Sequence, residues 1–128
     1  MSDLFKIIGS VGTTPEASSV LSSGASSNLA AINESLALAL KDGPTDYTLT
    51  ADGAVSVSFG GVTNAHAVTI FTDRKVKVRL TSADGALQSV PVDKVLMLIS
   101  ESVPFTAIDL TRVSAQETRV KIFIGQKS

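Results

Sequence analysis

Over most of the chain, apolar and polar side chains alternate with a period of two, and turn residues break the alternation at short intervals. Residues 47–50, 54–59, 65–71, 75–80, 87–90, 107–113 and 118–124 carry this pattern in whole or in part, many with β-branched or aromatic residues at the apolar positions, and 95–99 is a short unbroken apolar run. They read as about eight short strands. Asp52-Gly53 and Asp84-Gly85 have the composition of tight hairpin turns, Gly60-Gly61 marks a loop, and residues 72–74 and 114–116 are short polar connections. Short strands at even spacing, with no helices between them, predict a mainly β chain: an antiparallel β-sandwich or jelly-roll-like domain.

The period changes upstream of Pro44. Leu29, Ile32, Leu36 and Leu40 follow the spacing of one helical face, Ser27 or Asn28 offers an N-cap, and Gly43-Pro44 offers a stop. This predicts one N-terminal α-helix over residues 27–43, packing on the β domain formed by residues 44–128. Residues 1–26 precede it as an arm, in which the apolar Leu4, Phe5, Ile7 and Ile8 are followed by a Ser/Ala-rich spacer too small-sided to build a core. The arm is expected to pack on another chain, and Leu4, Phe5, Ile7, Ile8, Leu29, Ile32, Leu36 and Leu40 are the candidate oligomer interface.

Alternation also says which strand faces are wet. Lys75, Lys77 and Arg79 share one side of their strand and Val76, Val78 and Leu80 the other; Arg119 and Lys121 stand in the same relation to Val120, Ile122 and Ile124. Residues 95–99, Val-Leu-Met-Leu-Ile, have no polar side. That segment is expected to be covered on both faces, as a central strand under the helix or at an oligomer interface.

Composition narrows the chemistry. The chain has 128 residues and 13.2 kDa, one domain's worth, and with 44% hydrophobic and 18% charged residues it is built to fold. It contains no cysteine, which excludes disulfides, thiolate metal sites and cysteine nucleophiles, and its one histidine, His66, has no second histidine to work with. No phosphate-binding glycine loop or clustered carboxylates appear, so the chain reads as a non-enzyme without cofactor or metal. Net charge is −1, with −4 in residues 1–64 and +3 in residues 65–128, giving no bulk attraction to nucleic acid or membrane. Neither a signal peptide nor a long apolar span is present, so the protein is expected to be made and kept in a reducing, aqueous compartment and not secreted. Aromatic residues are 5% with no Trp, which disfavours sugar stacking. The best candidate for docking a partner is the basic ladder Lys75, Lys77 and Arg79, with Arg119 and Lys121 as possible neighbours; a merely solvated strand face would have the same pattern.

Taken together, the apolar piece Leu4 to Ile8, the Ser/Ala spacer, one helix and a small cysteine-free β-sandwich resemble the auxiliary structural proteins of tailed-phage virions, above all capsid decoration or cement proteins. The similarity of pattern runs over roughly residues 45–125, through the segment from Ala67 to Thr81, a glycine turn, an apolar strand and the closing stretch from Arg119 to Gly125. The resemblance implies a virion structural protein without catalytic residues. It further implies an oligomer, a trimer in the first instance, bound to the major capsid protein or another virion protein. A tail or head-tail junction protein, or a β-sandwich module binding a glycan or small ligand, are the alternatives.

Overall fold

A computed structural model of the chain describes residues 3–12 and 28–128. Nine strands make up the described residues: β1 (Asp3–Gly12), β2 (Asn28–Leu49), β3 (Val55–Ser56), β4 (Ala67–Thr72), β5 (Val76–Ser82), β6 (Leu87–Val92), β7 (Val95–Ile99), β8 (Phe105–Arg112) and β9 (Thr118–Lys127). They form a five-stranded sheet in the order β1-β2-β9-β4-β7 and a four-stranded sheet in the order β3-β8-β5-β6, and every pairing is antiparallel.

One core joins the two sheets. Val68 and Ile70 of β4, Val120, Ile122 and Ile124 of β9, and Leu49 of β2 meet Val76, Val78 and Leu80 of β5 and Ile108 and Leu110 of β8. These are the inward positions that strand alternation assigns, and burying such side chains stabilises the fold by about 1.5–3 kcal/mol each. The short strands expected from residue 65 onward all appear, several with ends longer by a residue or two.

The helix expected over residues 27–43 does not form among the described residues; residues 28–43 lie in β2, a strand of 22 residues. Leu36, Ala37, Leu38, Ala39 and Leu40 also alternate with a period of two. Leu36 and Leu38 are buried on one side while Ser35, Ala37 and Ala39 are exposed. Partnering decides between the two readings, because β2 finds β1 on one edge and β9 on the other and a helix would find neither. Gly43-Pro44, read as a helix stop, sits at a bulge where the β2–β9 register shifts between Asp42 and Thr45. Gly43 has φ +104°, a conformation open to glycine, and a Cβ there would lie 2.6 Å from the carbonyl oxygen of Ile122.

The N-terminal segment through Gly12 is β1, running antiparallel to the first half of β2 from Asp3 opposite Leu38 to Gly12 opposite Asn28. The second half of β2, from Leu38 to Leu49, pairs with β9. Because the two pairings overlap only at Leu38, β1 and the first half of β2 form a two-stranded ribbon that leaves the body of the sheet. The Ser/Ala-rich spacer over residues 13–26 lies outside the described residues.

Candidate functional site

The face of the five-stranded sheet turned away from the core is the most distinctive surface. Its rows follow from the register: Ile99, Ala67 and Gly125 lie side by side across β7, β4 and β9, then Met97, Thr69 and Phe123, then Val95, Phe71 and Lys121. At one end the ribbon covers this face. Leu36, Leu38 and Ala67 form a small second cluster with Phe5, Ile99 and Phe123, and the rings of Phe5 and Phe123 stack with centroids 5.5 Å apart and planes 7° from parallel. Gly125 makes room for this, since a Cβ there would fall 2.8 Å from Cδ1 of Leu38. Beyond the cluster the apolar residues are uncovered: Phe71 is 51% exposed, Val95 45% and Met97 46%.

This overturns one of the two placements expected for residues 95–99. β7 is an outer strand, not a central one, and no helix lies over it. Its apolar residues on the core side, Leu96 and Leu98, pack against the shared core, while the other side faces outward. An unbroken apolar run is therefore compatible with an edge strand whose outer side is left open.

Next to Phe71 and Val95 an open groove of ≈ 470 Å³ is lined by Asp46, Asp73, Lys94, Arg119 and Lys121. Charges of both signs ring it. Asp73 accepts the backbone N–H of Arg119 at 2.8 Å and so serves the loop after β4.

The basic residues fall into two groups on opposite outer faces. Lys77 and Arg79 project from the middle strand of the four-stranded sheet, where Lys77 lies between Pro91 and Thr111 and Arg79 between Ser89 and Asp109, with Lys75 just ahead of β5. Arg119 and Lys121 project from β9, on the outer face of the other sheet. The expected neighbourhood of the two groups is thus corrected: alternation along the sequence does not tell that β5 and β9 belong to different sheets. All five side chains are exposed, and among the described residues Lys75, Lys77 and Arg79 make no ion pair or hydrogen bond.

Of the candidate interface residues, Leu4 is exposed on β1, Phe5 and Ile7 are half-buried, Leu36 is buried in the second cluster, and Leu40 is exposed. The side chains of Ile8, Leu29 and Ile32 lie outside the described residues. In this chain, β1 finds its partner in β2 of the same chain. The surface that sequence reasoning missed is the pairing of Phe71 with the β7 edge. Its signal was Phe71 itself, which occupies the polar phase of β4.

His66 Nδ1 accepts the backbone N–H of Lys127 at 3.1 Å. Burial, and secondarily the charge of Lys127, hold its pKa below the ordinary histidine value, so the ring is neutral near pH 7 and acts as an acceptor that ties the start of β4 to the end of β9. Among the described residues, no group of three or more His, Cys, Asp or Glu side chains could hold a metal ion, and no helix is long and apolar enough to cross a membrane. No protein-family model matches the chain, nor does any curated protein or solved structure.

Proposed function

We propose that the chain is a non-enzymatic structural protein of a tailed-phage virion: an antiparallel β-sandwich of jelly-roll type that self-associates and adheres to the capsid lattice as a decoration protein. The virion setting rests on the resemblance of sequence pattern. The observation that carries the assembly role is the exposed apolar strip Phe71, Val95 and Met97 beside a sheet edge that is unpaired among the described residues. Isolated exposed apolar residues are ordinary, but a contiguous strip along an open edge is a surface that other chains cover. The projecting ribbon and the basic ladder on the far face offer further contacts, so one copy can touch neighbours on more than one side.

Light scattering on the purified protein at micromolar concentration tests this. The full chain should have a mass that is a multiple of 13.2 kDa. Removal of residues 1–26 should lower that mass while the far-UV circular dichroism stays that of β-sheet. The full chain should also bind purified phage capsid shells saturably, at a copy number set by the lattice. A monomeric full chain that does not bind the shells would overturn the reading.

A further inference from the structure

We infer that β7 pairs with β7 of a second copy across a two-fold axis through Met97, joining two five-stranded sheets into one; this rests on the self-association proposed above. Three observations lead there. First, the Thr72 N–H donates to the Lys94 carbonyl at 3.0 Å and the Ser100 N–H to the His66 carbonyl at 2.7 Å. In an antiparallel pair the residues facing the neighbour alternate, so Lys94, Leu96, Leu98 and Ser100 face β4. The backbone N–H and C=O groups of Val95, Met97 and Ile99 therefore point to the open edge.

Second, β7 lacks the devices that blunt sheet edges. β6, an edge of the other sheet, carries Pro91, and β3, the edge opposite it, is two residues long. β7 has five consecutive apolar residues with no proline, charge or bulge. An edge of that kind templates another strand.

Third, the strand complements itself. With Met97 opposite Met97 of the second copy, Val95 lies opposite Ile99 and Ile99 opposite Val95. All three are residues whose backbone groups point outward, so the exchanged pairs make roughly six hydrogen bonds. Val95, Met97 and Ile99 from both copies then form one continuous apolar strip on the outer face, and Leu96 meets Leu98 on the other. Beyond the strand, Lys94 falls opposite Ser100 and Asp93 opposite Glu101, so the fit rests on the apolar residues and their backbone groups and not on charge.

Two substitutions test the pairing in the full chain. Met97→Pro removes an N–H that β4 does not use, and Met97→Lys leaves the backbone intact but puts a charge on the axis. Each should retain a cooperative unfolding transition and weaken self-association by about tenfold or more, as expected for losing the two central hydrogen bonds or burying a charge. In the cysteine-free chain, Met97→Cys should form a disulfide-linked dimer under mild oxidation, since facing residues on such an axis have Cα atoms about 5.5 Å apart. Leu87→Cys, exposed on β6, should not. An oligomer that survives Met97→Lys and shows no Met97→Cys cross-link, such as a trimer held elsewhere, would overturn the two-fold pairing and leave the assembly role standing. A monomeric wild-type chain would overturn both.

Discussion

Thr69 stands on the outer face of β4 between Met97 and Phe123, and its hydroxyl oxygen is buried without a hydrogen-bond partner among the described residues. A buried hydroxyl in that position has given up water and gained nothing, while its methyl group packs as valine would. Thr69→Val should therefore stabilise the protein by about 1 kcal/mol, read as a higher urea midpoint with an unchanged slope. A loss of stability would mean that the hydroxyl has a partner. Contrast His66, the other polar side chain singled out near this face. Its ring nitrogen is engaged by a backbone N–H, so this histidine just ahead of β4 acts as a fastening.

At the level of elements, Gly43 decides the course of β2. The bulge there lets one strand pair with β9 on both sides of a register shift, and any side chain at this position meets both a positive φ and the carbonyl of Ile122. Gly43→Ala should cost about 1–3 kcal/mol in thermal or urea unfolding, with the loss confined to stability if the sheet simply strains. The same residue explains where sequence reasoning failed. Strands β5, β8 and β9 were legible because one side of each meets the core and the other largely meets water, which writes alternation into the residues. Leu29, Ile32, Leu36 and Leu40 satisfy a helical period while Leu36, Leu38 and Leu40 satisfy a strand period, and local pattern cannot choose between them. The choice came from partners outside any short window: β1, which sets Phe5 opposite Leu36, and β9, which sets Lys127 opposite Leu38. For the same reason the outward residues Lys77, Arg79, Arg119 and Lys121 were legible as exposed, but not as belonging to two different faces.

Taken whole, the molecule presents an apolar face on one sheet and a basic one on the other. Lys75, Lys77 and Arg79 hold no partner among the described residues, so they contribute little to folding and are free to meet an acidic surface. Replacing the three by Gln should leave the melting temperature within a few degrees, because exposed charges contribute about 0–1 kcal/mol each. Binding to capsid shells should weaken and lose its dependence on salt. Full shell binding by that variant would move the docking face elsewhere. The position of β9 bears on when this molecule can exist at all. It is synthesised after the other eight described strands, yet it lies between β2 and β4 in the larger sheet and supplies Val120, Ile122 and Ile124 to the core. A growing chain on the ribosome can close the hairpin of β5 and β6 early. Strands β2 and β4 must wait, with their edges open, until residues 118–127 arrive between them. A nonsense change near residue 117 would thus remove the middle of the sheet rather than its margin, leaving β2 and β4 with no strand to join them.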